Sequence, residues 1–94
     1  KALAGLEVRN LTAEIAKRLN LPPDSKGVVV TQIDPSSKAA QAGLRVGDVI
    51  TEINRESVGS LDDYKRIVGK LGKNENPLLL VKRREGKFFV VIKS

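Results

Sequence analysis

The stretch PSSKAAQAGLRVGDVITEIN, Pro35 to Asn54, decides how this chain is read. Its small residues and spaced glycines suit a catalytic loop, a phosphate cradle or a piece of scaffold. A phosphate loop needs glycines leading into a helix N-terminus, followed by a lysine and a serine or threonine, because the amides at that helix end hold the anion. Here Gly43 and Gly47 precede the strand-like run VITEIN, so the order is reversed and the scaffold reading holds. Pro35 and two serines then start a short helix over Ser37 to Ala42, whose alanines let it lie close to a sheet. Gly43 closes that helix in the left-handed conformation, and Leu44 folds back as the apolar contact of the cap. Gly47 and Asp48 make a second turn, Val49, Thr51 and Ile53 alternate with Ile50 and Glu52 along a strand, and Asn54 and Arg55 turn the chain.

The flanking sequence supplies a mixed order of elements. Leu6 to Leu11 alternates as a strand, and Thr12 caps a short helix carrying Ile15, Ala16 and Leu19 at helical spacing. Asn20, Pro22 and Pro23 end it, since proline lacks the amide donor and its ring excludes further helix. Pro23 to Gly27 is a loop, and the β-branched run Val28 to Ile33 is the next strand. Ser60 opens the longest helix, with the Asp63 carboxylate placed to reach back to the Ser60 amide. Within it Tyr64, Ile67 and Leu71 define one face, while Leu61, Lys65 and Val68 define an adjoining one able to line a groove. The last element is a hairpin with Glu85 and Gly86 as loop residues, which sets Arg83 opposite Phe88, Val81 opposite Val90 and Leu79 opposite Ile92. The fold class expected from this order is α+β, a small, partly open β-barrel or sandwich capped by two to three helices.

Composition excludes much. At 94 residues the chain is one domain's worth, with 40% hydrophobic and 30% charged residues, in the range of soluble globular proteins. The longest apolar runs, LLLV at 78–81 and FVVI at 89–92, are far too short to span a bilayer, so no membrane insertion is expected. Neither cysteine nor histidine occurs, which removes disulfides, thiol nucleophiles, the usual zinc ligands and the commonest general base; no metal or other cofactor is expected. No GxSxG, SxxK or paired-acid motif appears, and Ser36, Ser37, Ser57 and Ser60 are explained as turn and cap residues. The net charge of +6 includes a cluster at Lys82, Arg83, Arg84 and Lys87, but three aromatic residues offer little for stacking bases. A solvated hairpin end is the simpler reading of that cluster, and no nucleic-acid partner is expected. The chain starts at Lys1 with no signal-peptide pattern, and is read as a fragment of a longer protein.

The run GVVVTQIDPSSKAAQAGLRVGDVITEINRESVGSLDDYKRIV, Gly27 to Val68, resembles a PDZ domain of the circularly permuted bacterial type. Upstream, AGLEVRNLTAEIAKRLNL, Ala4 to Leu21, is similar to the beginning of a PDZ domain in HtrA/Deg envelope serine proteases, so the resemblance covers nearly the whole chain. The segments AAQAGL, VGDVI and INRESV, with the chain ending at its last strand, look like the second, C-terminal PDZ domain of a two-PDZ chain, with residues 1–94 forming that domain.

The resemblance implies that Leu3, Ala4, Gly5 and Leu6 form the loop that receives a ligand's C-terminal carboxylate, since successive amides around a glycine can converge on an anion. It implies that a peptide adds as a strand beside Leu6 to Asn10, through main-chain groups of a segment that includes Leu6, Glu7 and Val8. The terminal residue would meet Ala4, Leu6 and Val68, and the residue two before it Leu61 and Lys65, with apolar residues preferred at both positions. Three departures from the family pattern stand out: Arg55 follows Asn54 where glycine is common, Ala4 is small, and only Lys1 is upstream to assist the carboxylate. The function implied is non-catalytic capture of exposed C-termini of unfolded or partly degraded proteins in the bacterial periplasm, for a linked protease whose catalytic triad lies elsewhere. An alternative is a structural docking module that assembles the protease domain and sister PDZ domains of an oligomer through Tyr64, Phe89 or the Pro22 and Pro23 loop. Gly5 separates the two, because strand addition requires its conformational freedom and assembly does not.

Overall fold

A computed structural model describes residues 3–72 and 75–93. Six strands and three helices follow in the order β1 (Leu6–Asn10), α1 (Ala13–Arg18), β2 (Val28–Ile33), α2 (Lys38–Gln41), β3 (Val49–Ile53), β4 (Glu56–Ser57), α3 (Leu61–Gly69), β5 (Leu78–Arg83) and β6 (Gly86–Val91). The strands form one antiparallel sheet in the order β1-β2-β3-β5-β6, with β4 paired to β3, and β1 lies at an open edge. This is the expected α+β architecture, a sheet that curls without closing.

The continuous valine run of β2 reflects cover on both faces. Val28 and Val30 point into the main core with Ala39, Leu44, Tyr64 and Ile67 of the α2 and α3 side. Val29 points the other way, into a smaller cluster with Ala16, Leu21 and Val49 beneath α1. Ile50, Ile53, Leu79 and Ile92 are fully buried in the main core. Burying each such side chain contributes roughly 1.5–3 kcal/mol.

The helix ends follow the local sequence. Thr12, Ser37 and Ser60 each accept, through the side-chain oxygen, a hydrogen bond from an amide in the first turn, at 3.2, 3.2 and 3.3 Å. At the end of α2, Gly43 takes φ +102°, its amide donates to Ala40 and that of Leu44 to Ala39, and Leu44 is buried: the closure expected from AAQAGL. Asn20, at φ 60°, closes α1 in the same way, with the Leu21 amide donating to Ala16. Asn54 and Arg55 both adopt left-handed φ, 50° and 69°, and so make the tight turn into β4 without the usual glycine.

Four expectations are corrected. The last hairpin turns at Arg84 and Glu85, so that Arg83 pairs with Gly86, Val81 with Phe88 and Leu79 with Val90. Neither Arg84 nor Glu85 takes a left-handed φ, and the positive φ of this segment falls on Gly86, at +138°, which closes the turn opposite Arg83. The alternation survives, because moving both strands together keeps Leu79, Val81, Val90 and Ile92 on the buried face. The Asp63 carboxylate accepts from the Gly59 amide at 2.9 Å rather than from Ser60, whose extended backbone (φ −158°) turns its own amide aside. Ser57 lies in β4 rather than in a turn. Tyr64 is buried with Ile67 one turn along the same face, and so presents no docking surface.

Candidate functional site

β1 and α3 lie side by side at the open edge of the sheet. Three main-chain bonds fix the direction in which β1 faces: Gly5 O accepts from the Asp34 amide at 2.8 Å, Glu7 O from the Thr31 hydroxyl at 3.3 Å, and the Leu11 amide donates to Gly27 O at 3.1 Å. All three belong to odd-numbered residues and point to the β2 side. Strand alternation therefore turns the main-chain groups of Leu6 and Val8 to the unpaired edge. The register between β1 and β2 shifts between Glu7 and Val8, leaving Thr31 of β2 unopposed, and its hydroxyl donates to Glu7 O beside this irregularity.

Leu6 and Val8 of β1 and Leu61 and Val68 of α3 are half-buried and pack on the same core, forming an apolar border between strand and helix. Glu7 and Lys65 are exposed. The preceding loop bends through Gly5, at φ +85°. A β-carbon on Gly5 would lie 3.0 Å from Cβ of Ser37 and 3.1 Å from Cβ of Asp34, so both the conformation and the space require glycine. Ala4 is exposed, whereas the Leu3 side chain is buried in the main core and anchors the loop rather than facing a ligand. Lys1 lies outside the described residues.

Two contributors escaped the sequence reading. Asn10 Oδ1 accepts from the Leu61 amide at 2.6 Å, joining the end of β1 to the first turn of α3 across 51 positions of sequence. Its signal was a polar residue on the Leu6 and Val8 side of an alternating strand. On the far side of the α2 cap, Asp48, 3% exposed, accepts from Nε and a terminal nitrogen of Arg83, the latter at 2.7 Å, and from the Arg45 amide at 2.9 Å. Arg83 also donates to Gly43 O at 2.9 Å and stacks 4.4 Å from the centre of the Phe88 ring. The hydrogen bond to Asp48 pushes the Arg83 guanidinium further up in pKa, so it is a permanent cation. The Asp34 carboxyl is held below its ordinary pKa, first by the Ser36 amide and then by the Ser36 hydroxyl. Among the described residues no group of histidine, cysteine or carboxylate side chains could hold a metal ion, and no helix is long and apolar enough to cross a membrane.

An open edge strand, a glycine-bent loop at its start and a helix alongside define a peptide-docking fold, and the comparison with known families agrees. The PDZ domain family matches residues 29–83, and the chain belongs to it. A PDZ domain is a non-catalytic module, and the chain also resembles part of larger proteases. It is 38% identical over 89 residues to a probable periplasmic serine endoprotease, DegP-like, of Chlamydia pneumoniae, covering 95% of this chain and 18% of that protein. The counterpart from Chlamydia muridarum is 41% identical over 90 residues, covering 96% of this chain and again 18% of the relative. Among solved structures, the HtrA-type protease AlgW with a decapeptide is similar at a TM-score of 0.82 and 28% identity, over 95% of this chain and 27% of that one. The HtrA3 PDZ domain bound to a phage-derived ligand, FGRWV, shares the fold at a TM-score of 0.77 and 22% identity, over 95% of this chain and 80% of that one.

Proposed function

We propose that this domain captures exposed C-termini of unfolded or partly degraded proteins by β-strand addition beside β1. The observation that carries the reading is the unpaired edge of β1 with α3 tied alongside it. Main-chain groups of Leu6 and Val8 bond the incoming strand, and amides of the Leu3 to Leu6 loop receive the terminal carboxylate. The terminal side chain packs on Ala4, Leu6 and Val68, and the one two residues before it on Leu61 and the Lys65 stem. Apolar residues are preferred at both positions. The solved relatives named above, each with a peptide ligand, support the mode of binding. The DegP-like relatives support the setting, a PDZ domain of a periplasmic serine endoprotease; in our reading it is the second such domain, and it delivers substrate or signals its presence.

The experiment is titration with a short peptide ending in apolar residues beside the same peptide amidated at its C-terminus. Binding of the free acid alone is expected. Binding of neither, with the fold intact, would favour an assembly module, for which exposed Phe89 and Val91 on β6 supply the surface. Equal binding of peptides with aspartate at both preferred positions would overturn the predicted selectivity.

A further inference from the structure

The end of α1, the turn before β3 and the β5-β6 hairpin line an open cavity of about 320 Å³ that shares no residue with the β1 and α3 border. Its lining contains five cations, Arg18, Arg45, Lys82, Arg83 and Arg84, against two carboxylates, Asp48 and Glu85, a surplus of three positive charges. Asp48 is already engaged by Arg83 and the Arg45 amide, which fixes that wall, and Arg18 pairs with Glu14 outside the lining at 3.5 Å, so among the described residues Arg45, Lys82 and Arg84 are the lining cations without a carboxylate partner. The side chains of Arg45 and Arg84 are exposed and form no ion pair or hydrogen bond among the described residues, while Lys82 reaches only the Ser25 hydroxyl at 3.4 Å. Val46 lies among them, 61% exposed.

From this arrangement we infer that the cavity is a second binding site, for a short acidic polypeptide segment with an apolar residue among its carboxylates. Cations on several walls of a concavity match carboxylates on a flexible chain. A flat anionic membrane would meet only the rim, and the cavity presents a single exposed large apolar residue, Val46, to insert there. No stacking platform for nucleobases exists, because no aromatic residue lines the cavity and the nearby Phe88 ring is covered by Arg83. The exposed apolar side chain between the cations favours a peptide over a bare anion such as phosphate.

The probe is acetyl-Asp-Glu-Leu-Asp-Glu-amide, whose blocked C-terminus keeps it from a carboxylate-reading loop, titrated into the isotopically labelled chain and followed by amide chemical shifts. Shifts concentrated at residues 18–21, 45–48 and 82–85 are expected, with affinity falling steeply between about 20 and about 300 mM salt. The double variant Arg45→Glu, Arg84→Glu, which changes two exposed and unpaired side chains, is expected to lose roughly tenfold in affinity for this peptide while binding a free-acid apolar peptide as the parent does. The charge-neutral pair Arg45→Gln, Arg84→Gln should fall between. Shifts spread evenly over the chain's lysines and arginines, shifts confined to β1 and α3, an unchanged affinity in the double variant, or binding of anionic vesicles or inorganic phosphate but not of the peptide would each overturn the inference.

Discussion

Replacing Gly5 by valine separates the stability of the fold from the use of its edge. The left-handed backbone at φ +85° costs a residue with a β-carbon roughly 1–2 kcal/mol. That carbon also presses on Ser37 at 3.0 Å, and Ser37 caps α2 through its bond from Ala40, so its displacement removes up to about 1 kcal/mol more. The sum, roughly 1–3 kcal/mol, compares with about 5–14 kcal/mol for the stability of a domain this size, so the variant stays folded at room temperature. With an unfolding entropy of about 0.2 kcal/mol/K, the melting temperature should drop by about 5–15 °C. Urea denaturation gives the first quantity and fluorescence polarisation with a labelled free-acid peptide gives the function. At a temperature where both proteins are folded, affinity should fall at least roughly tenfold, because the loop amides no longer converge on the carboxylate. A variant that binds like the parent would refute the assignment of the loop, and a stability loss below about 0.5 kcal/mol would refute the strain argument.

Three further outcomes are expected. Arg83→Met strips the buried Asp48 of two of its donors and should cost about 3–5 kcal/mol, whereas the double variant Asp48→Leu, Arg83→Met should recover at least half of that; denaturant curves showing the double no more stable than the single would contradict the pairing. Asn10→Ala leaves the Leu61 amide without its partner and should lower stability by about 1 kcal/mol, with peptide affinity reduced severalfold; calorimetry finding affinity unchanged would detach this bond from the groove. Burial pushes the Tyr64 hydroxyl up to about 12. The folded value is raised above the unfolded one, so this contribution to stability is complete below pH ~10 and is lost as pH rises towards 12. Tyr64 is the lone tyrosine, so ultraviolet absorbance reads it directly, and a reversible midpoint near 10 in the folded chain would disprove its burial.

What the sequence revealed follows the range of the interactions that wrote it. Thr12, Ser37 and Ser60 act within one helical turn, and Gly43 with Leu44 closes a helix through bonds spanning five residues, so short windows suffice to find them. The hairpin register was misread because the faces depend only on alternation, which two registers satisfy equally, whereas the turn is placed by where the positive φ of Gly86 falls. Asp48 and Arg83 stand 35 positions apart, and in sequence they look like a turn residue and a member of a basic cluster. The edge strand β1, the bend at Gly5 and the helix α3 were legible as elements, and the peptide site they would form remains our proposal. Leu3 was placed in the loop correctly by position, but only packing shows that its side chain turns inward.

The hydrogen bond from Leu61 to Asn10 gives the proposed groove a mechanical character. It pins the first turn of α3 to the end of β1. Towards the other end of the helix Arg66 and Lys70 reach the Glu56 carboxylate of β4 at 3.6 and 3.2 Å, and Ile67 is buried in the core. The helix is thus tied to two different strands, so a ligand side chain that widens the proposed groove has to strain one of these ties.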